Sequence, residues 1–190
     1  MKIGLFGGSF DPVHLGHLLV AQAAREELAL DRLFFIPAAQ SPFKPDTKPI
    51  SGAERLRLLR LALAGQAWCE VDDQELRRGG VSYTIDTVRD YTHQFPAAKI
   101  FYLIGADNVL KLPGWREAEE LARLAEFVVV PRPGQADIPF PKPFRGWTLK
   151  GFPLGVSSSE IRARIRSGHP IDHLVPAAVA EAIRSTSLYV

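Results

Sequence analysis

The stretch Gly7-Gly8-Ser9-Phe10-Asp11-Pro12-Val13-His14-Leu15-Gly16-His17 joins two segments whose hydrophobic patterns differ. Before it, Ile3-Gly4-Leu5-Phe6 is a short apolar run of the kind found in buried parallel strands. After it, apolar residues from Leu18 to Leu28 recur at helical spacing. The stretch is therefore predicted to be a strand-to-helix turn, with the helix beginning near Gly16.

This predicted turn has the features of an anion-binding site. The paired glycines Gly7 and Gly8 let a ligand approach backbone N–H groups, and the positive end of the following helix points into the same space. His14 and His17 are three residues apart, so both rings project from one face of the helix. Gly16 lies between them and carries no side chain that could block approach. Two imidazoles beside a phosphate site suggest stabilisation of charge.

The histidine pair has other interpretations when it is taken alone. A His-x-x-His pattern also occurs as a metal-binding pair or as two unrelated surface histidines. No Asp or Glu stands at the spacing of a zinc protease motif, and the single cysteine, Cys69, lies in a predicted strand. Metal ligation by the pair is therefore disfavoured, whereas an unspecific role stays open.

Apolar strand candidates recur along the chain, with helical patterns between most of them. They are Ile3–Phe6, Leu33–Ile36, Trp68–Val71, Ile100–Ile104 and Phe127–Val130. Helix starts are indicated at Ser51, by a capping box with Glu54, and at Ser82 or Thr84. Trp147 also lies on a strand candidate and is interpreted as a core residue. This alternation predicts an α/β fold with a doubly wound, mainly parallel sheet, helices on both faces and ligands at the carboxyl ends of the strands.

The remaining segments are predicted from the positions of their proline and glycine residues. Two proline-rich stretches, Pro37–Pro49 and Pro131–Pro153, have no clear period and are interpreted as loops. The chain becomes helical again from Val156, with Gly168 as a C-cap and Pro176 near the start of a last helix.

Composition limits the class of protein. The chain has 190 residues, of which 46% are hydrophobic and 23% charged, as is usual for a globular protein with one sizeable core. The net charge of +2 is too small to indicate a nucleic-acid or membrane partner. One cysteine cannot form an internal disulfide, and no apolar run is long enough to span a bilayer or to act as a signal peptide. The cytoplasm is the expected location, and oligomeric state is left open, with a homo-oligomer as one option.

As one string, residues 8–17 resemble the signature of the HxGH nucleotidyltransferases, specifically the bacterial nicotinate-mononucleotide adenylyltransferase family. The resemblance continues in the family's order through four further segments: Ser82-Tyr83-Thr84-Ile85-Asp86-Thr87, Ile104-Gly105-Ala106-Asp107, Trp115 and Val156-Ser157-Ser158-Ser159-Glu160-Ile161-Arg162. It spans nearly the whole chain. It implies a Rossmann-like nucleotidyltransferase fold in a single domain, residues 1–190, in which a C-terminal helical part, about residues 156–190, completes an ATP site.

The resemblance also implies a reaction. The phosphate of nicotinate mononucleotide would attack the α-phosphorus of ATP and give deamido-NAD and pyrophosphate. Because the nucleophile arrives with the substrate, catalysis would depend on positioning and charge stabilisation. His14 and His17 would contact the ATP phosphates without acting as covalent nucleophiles. Mg²⁺ would arrive with ATP and stay mostly bound to water and phosphate.

Site residues follow from the same resemblance. The ATP side would comprise Gly8, Ser9, Phe10, His14, His17, Gly105, Asp107, Ser158, Ser159 and Arg162. Ser159 stands where the family motif has threonine, and it retains the hydroxyl. The mononucleotide side would comprise Ser82, Tyr83, Thr84 and Trp115, with a helix N-terminus facing the pyridine carboxylate and an indole facing the ring.

The chain departs from the family at one position. The family usually has Pro-His-Lys or Pro-His-Arg after the second strand, whereas this chain has Pro42-Phe43-Lys44. Lys44 keeps the cation and is assigned to catalysis, where it would steer the incoming phosphate. A solvated loop lysine is the alternative.

Two other functions compete with this one. An adenylyltransferase of the same superfamily could use a different acceptor, such as nicotinamide mononucleotide or phosphopantetheine. A nucleotide-binding sensor could keep the fold without turnover. Turnover with ATP distinguishes the sensor from the enzymes.

Overall fold

The computed structural model describes residues 1–42, 49–130, 138–152 and 154–190. In these residues the strands are β1 (Lys2–Gly8), β2 (Arg32–Pro37), β3 (Cys69–Val71), β4 (Lys99–Gly105), β5 (Glu126–Val130) and β6 (Gly146–Thr148). The α-helices are α1 (Leu15–Leu28), α2 (Gly52–Ala62), α3 (Gln74–Arg78), α4 (Thr84–Gln94), α5 (Ala118–Leu124), α6 (Ser158–Arg166) and α7 (Ala177–Ser185). A 3₁₀ helix spans Ala106–Gly114.

The strands form one parallel sheet in the spatial order β3-β2-β1-β4-β5-β6. This order reverses between β1 and β4, and ligands of doubly wound sheets bind at the carboxyl ends of the strands at such a point. Phe6 of β1 pairs with Leu103 of β4, so the glycines that end these strands, Gly8 and Gly105, lie at the same edge of the sheet. The predicted fold class is confirmed.

Side-chain alternation along the strands explains why helices cover both faces. Ile3 and Leu5 of β1 are buried with α4 and the 3₁₀ helix on one face. Phe6 is buried on the other face with α1, α2 and the C-terminal helices. Ile161 of α6 and Val179 of α7 belong to this same cluster. The C-terminal part therefore shares the hydrophobic core on this face of the sheet.

One strand differs from the prediction. The stretch 131–153, interpreted as a loop, contains β6, which pairs with β5 at the edge of the sheet. Trp147 of β6 is 56% exposed, so its assignment to the core is wrong. Its Nε1 donates to Glu126 Oε2 at 3.0 Å. A three-residue edge strand between prolines is too short to leave a periodic signal.

The start of α4 also differs. The helix begins at Thr84 and its N-cap residue is Tyr83, with no side-chain cap hydrogen bond. Neither Ser82 nor Thr84 is the cap, because the Ser82 Oγ accepts a hydrogen bond from the Ala39 N–H at 2.9 Å. At α2 the expected cap is present, and Ser51 Oγ accepts from the Glu54 N–H at 3.2 Å.

Candidate active site

The turn between β1 and α1 is anchored by Phe10. This residue adopts a positive φ of 47°, and its ring is 2% exposed. The ring centroid lies 5.5 Å from that of Phe6, 5.5 Å from that of Phe35 and 5.0 Å from that of His17. Any contact of Phe10 with a nucleotide would therefore use its backbone, while its side chain supports His17.

The two histidines form a stacked pair. Their ring centroids are 3.7 Å apart with an interplanar angle of 27°. The backbone N–H of His14 donates to Nδ1 of His17 at 3.2 Å. Because Nδ1 accepts this bond, the proton of the neutral His17 ring is assigned to Nε2. The fixed tautomer leaves Nε2 of His17 as a hydrogen-bond donor.

Both imidazoles are held in the neutral state. Burial lowers the pKa of His14 from 6.5 to about 4. Burial lowers the pKa of His17 well below its usual value, and charge on the stacked His14 ring lowers it further. Within the described residues, the buried Nδ1 of His14 has no hydrogen-bond partner. An anion bound beside the pair would raise the proton affinity of both rings.

The space around Gly16 is tight. A Cβ at this position would lie 3.0 Å from Nδ1 of His14 and 3.0 Å from Cγ1 of Val156. Real side chains rarely tolerate such contacts without displacing a neighbour. The glycine thus lets the His14 ring fit between α1 and the segment that leads into α6.

Helix α6 is joined to the histidine turn through its first residues. Ser157 caps the helix, its Oγ accepting from the Glu160 N–H at 3.2 Å. Ser158 Oγ donates to the carbonyl of Pro12 at 2.9 Å, so its hydroxyl proton is used within the protein. The backbone N–H groups at the start of the helix have no intrahelical acceptor and form, with the helix dipole, a place for an anion.

Arg162 lies one turn into α6 and connects it to the same turn. Its Nη1 donates to the backbone carbonyl of Asp11 at 2.6 Å and lies 3.6 Å from Oδ2 of the Asp11 carboxylate. Its Nη2 donates to Ser159 Oγ at 3.2 Å. The Arg162 side chain is 28% exposed. It is therefore fixed by the protein yet accessible to a ligand.

The opposite side of the turn is built from the loop after β2 and the start of α4. The Ala38 N–H donates to the carbonyl of Gly8 at 2.9 Å. The next residue, Ala39, donates to Ser82 Oγ, and the Ser82 N–H donates to the carbonyl of Gln40 at 2.9 Å. Ser82 is 8% exposed, so the structure places it as a link between these segments.

Aromatic residues flank the uncapped N-terminus of α4. Trp115 is partly buried and makes edge-on contacts with Tyr102 and Phe127, at centroid distances of 6.5 Å and 6.0 Å. Thr84 Oγ1 lies 3.5 Å from the Tyr102 hydroxyl. The Tyr83 ring lies 4.7 Å below the guanidinium of Arg116.

Two sets of candidates remain. Gly105 ends β4 beside Gly8, and Asp107 is exposed in the first turn of the 3₁₀ helix. Lys44 and Phe43 lie outside the described residues. Gly8 thus lies at the same edge of the sheet as Gly105, α6 is bonded to the turn through Pro12 and Asp11, and the loop after β2 links Gly8 to Ser82.

Sequence reasoning missed two residues of the network beneath the turn, Arg55 and Tyr189. Arg55 is 2% exposed on α2, and its Nη1 donates to the carbonyl of Ser9 at 2.8 Å. It lies on the same helix face as the buried residues Leu58 and Leu59, and a charge in an apolar stripe was a signal that could have found it. The sequence contains no comparable pattern that would have identified Tyr189 as part of this network.

Comparison with known proteins assigns the family. The family described as Cytidylyltransferase-like matches residues 5–164. The chain belongs to the cytidylyltransferase-like family. The predicted membership of a nucleotidyltransferase family is thereby confirmed. The matched range includes both the histidine turn, residues 7–17, and Arg162.

Relatives match over their full length. A protein of Opitutus terrae is 43% identical over 194 residues, with 100% of this chain and 98% of the relative covered. A protein of Shouchella clausii is 42% identical over 193 residues, with 99% and 96% covered. Both carry the name "Probable nicotinate-nucleotide adenylyltransferase".

A solved structure supports the fold. Plasmodium falciparum nicotinic acid mononucleotide adenylyltransferase complexed with NaAD is 19% identical and has a TM-score of 0.77. The match covers 99% of this chain and 97% of that one. At this identity the likeness concerns the Rossmann-like fold.

The described ranges contain neither a ready-made metal cluster nor a membrane-spanning helix. In them, no group of three or more His, Cys, Asp or Glu side chains is arranged to hold a metal ion. None of the helices seen there combines the length and the apolar character needed to cross a membrane.

Proposed function

We propose that this protein transfers the adenylyl group of ATP to nicotinate mononucleotide, forming deamido-NAD and pyrophosphate. The observation that carries the proposal is the stacked His14–His17 pair, with its Nε2 donor, at the point where the strand order reverses between β1 and β4. The full-length relatives named for this activity support it.

The proposed chemistry needs no protein nucleophile. An oxygen of the mononucleotide phosphate forms a bond to the α-phosphorus of ATP, and the bond from that phosphorus to the bridging oxygen of the β-phosphate breaks. Pyrophosphate leaves with the bonding electron pair. Charge builds on the oxygens around the α-phosphorus, so fixed donors aimed at them lower the barrier most.

The ATP side is proposed to supply those donors. His17 would donate from Nε2 and His14 would stabilise the same phosphates from the stacked ring. Arg162 and the first N–H groups of α6 would hold the remaining phosphate oxygens, with Ser159 beside them. Gly8, Ser9 and the backbone of Phe10 would line the turn. Gly105 and Asp107 would border the adenosine, while Ser158 would act through its bond to Pro12.

The acceptor side is proposed to bind an anionic pyridine. The first N–H groups of α4 carry no side-chain cap, so they can receive the carboxylate of nicotinate. Trp115 would offer its ring face, since its contacts with Tyr102 and Phe127 are edge-on. Tyr83 and Thr84 would complete this side, with Ser82 fixing the segment. A neutral carboxamide gains less from a helix N-terminus, which favours nicotinate over nicotinamide.

Lys44 and Mg²⁺ complete the proposal. Lys44 would compensate charge on the incoming phosphate. The Asp11 carboxylate is already engaged by Arg162 and Tyr189, so the donor set described here fits a cation held mainly by phosphate and water. When bound, Mg²⁺ would neutralise charge on the triphosphate. The cytoplasm, which supplies ATP, is the proposed location.

The test measures pyrophosphate release with ATP and Mg²⁺. Nicotinate mononucleotide, nicotinamide mononucleotide and phosphopantetheine are compared side by side. The highest kcat/KM with nicotinate mononucleotide is expected. A higher value with another acceptor would overturn the substrate, and no release with any acceptor, despite ATP binding, would indicate a sensor.

A further inference from the structure

The Asp11 carboxylate is the point at which three separate segments meet, and the proposed reaction does not use it. Asp11 is 7% exposed. Its Oδ1 accepts from the Tyr189 hydroxyl at 2.9 Å and from the Ile50 N–H at 3.3 Å. Its Oδ2 lies 3.6 Å from Nη1 of Arg162. The two oxygens therefore face different partners, and the rotation of the carboxyl group sets how close Oδ2 lies to Arg162.

A second cation, Arg55, lies close enough to this carboxylate to feel its charge. The buried guanidinium of Arg55 donates from Nε to the carbonyl of Ile50 at 3.2 Å and from Nη1 to that of Ser9. Burial lowers the pKa of Arg55, and the nearby Asp11 charge opposes this shift. The Asp11 carboxylate thus feels the charge of two guanidinium groups, while its Oδ1 is held by the Tyr189 hydroxyl and the Ile50 N–H.

The backbone after α7 turns so that the Tyr189 hydroxyl reaches Oδ1 of Asp11. Ser187 and Tyr189 both adopt positive φ, 48° and 70°, which is uncommon for residues other than glycine. The Leu188 N–H donates to the carbonyl of Ile183 at 3.2 Å and closes the turn after α7. Tyr189 packs against the core cluster that includes Phe6 and Phe10. Burial raises the pKa of its hydroxyl, which therefore stays protonated as a donor.

We propose that Tyr189 is a positioning residue for Arg162, acting through Asp11. The Tyr189 hydroxyl holds Oδ1, so Oδ2 stays beside Nη1 of Arg162 and the guanidinium keeps the orientation in which its remaining N–H groups face the nucleotide phosphates. This inference rests on the proposed function, because it takes Arg162 to bind ATP. Its prediction concerns ATP only, since the mononucleotide is proposed to bind at the start of α4 and beside Trp115.

The test is Tyr189→Phe, which removes one hydroxyl and keeps the ring. Tyr91→Phe is the matched control, because Tyr91 is also buried and its hydroxyl donates to a carboxylate, Asp72 Oδ2, at 2.7 Å. By calorimetry, Tyr189→Phe is expected to raise the Kd for ATP about tenfold, as befits loss of a hydrogen bond to a charged group. Its Kd for nicotinate mononucleotide should stay within twofold, and Tyr91→Phe should change neither. An unchanged Kd for ATP in Tyr189→Phe, or an equal rise for both ligands, would overturn the proposal.

A double-mutant cycle tests whether the effect passes through Arg162. Arg162→Lys keeps the charge and loses the forked geometry. In that background, Tyr189→Phe should change the Kd for ATP by less than twofold, because the group it positions is already gone. A further tenfold loss would show independent action and contradict the proposal.

These binding measurements separate the inference from the proposed function. If the wild-type protein binds ATP but releases no pyrophosphate, the proposed function fails, while the cycle still decides the role of Tyr189. If the wild-type protein does not bind ATP, the role of Tyr189 is overturned as well.

Discussion

The stacked histidines combine burial with a fixed tautomer, and each property has its own consequence. Neutral imidazoles are compatible with a partly buried site, and the donor on Nε2 of His17 becomes most valuable when charge develops on a bound phosphate. His17→Ala is therefore expected to lower kcat by about a hundredfold or more, with a smaller effect on the Kd for ATP. Steady-state kinetics and calorimetry give the two values.

His93→Ala is the control, because His93 is exposed at the end of α4 and should leave kcat unchanged. A kcat near that of the wild type in His17→Ala would remove His17 from the proposed mechanism.

The lowered pKa of His14 predicts an acid-dependent loss of stability. The unfolded chain binds a proton at His14 near pH 6.5 and the folded chain near pH 4, so the free energy of unfolding falls as the pH falls through this window. Between pH 7 and pH 5 this group contributes a loss of about 2 kcal/mol. His14→Asn should lose less stability than the wild type over the same interval, as measured by urea unfolding. Equal losses in both proteins would contradict the lowered pKa.

The helix α1 depends on a glycine in its first turn. Gly16→Ala would improve helix propensity but would press a methyl group against His14 and Val156. We expect kcat to fall at least tenfold, because the His14 ring must move. Gly114→Ala is the matched control, since a Cβ there meets no heavy atom within 4 Å, and it should preserve kcat. Normal turnover in Gly16→Ala would show that the ring position is not critical.

The 3₁₀ helix positions Trp115 at its end. Trp115→Ala is expected to raise the KM for the mononucleotide at least tenfold and that for ATP less than threefold, because stacking on the pyridine is lost. Trp115→Phe should recover part of the loss. Equal increases for both substrates would favour a packing role against Tyr102 and Phe127 instead.

Among the secondary-structure elements, the sequence predicted the longer strands and helices well. Buried strands such as β1 and β4 are continuous apolar runs. The helix after the histidine turn has a clear hydrophobic period. Strand β6 has three residues, so the strand candidate at Trp147 was too short to distinguish from the surrounding stretch, which has no hydrophobic period. The predicted N-cap of α4 was wrong because the Ser82 hydroxyl accepts a hydrogen bond from Ala39, a residue more than forty positions away in sequence.

For the whole molecule, the strand order brings distant motifs together. The predicted carboxyl-end location follows from parallel strands, which is why residues near Gly8 and Gly105 could be placed beside each other from the sequence. The network of Arg55, Asp11 and Tyr189 could not be predicted from the sequence, because it depends on how α2 and the turn after α7 pack beneath the histidine turn. Such contacts are set by tertiary packing and leave no local pattern.

The central claim is that transfer occurs at the α-phosphorus of ATP. The most direct test is a single-turnover reaction of the protein with Mg²⁺, nicotinate mononucleotide and ATP labelled either at the α- or at the γ-phosphate. The account predicts that α-label appears in deamido-NAD and γ-label in pyrophosphate. Transfer of the γ-label to the mononucleotide, or release of labelled inorganic phosphate from ATP, would contradict it.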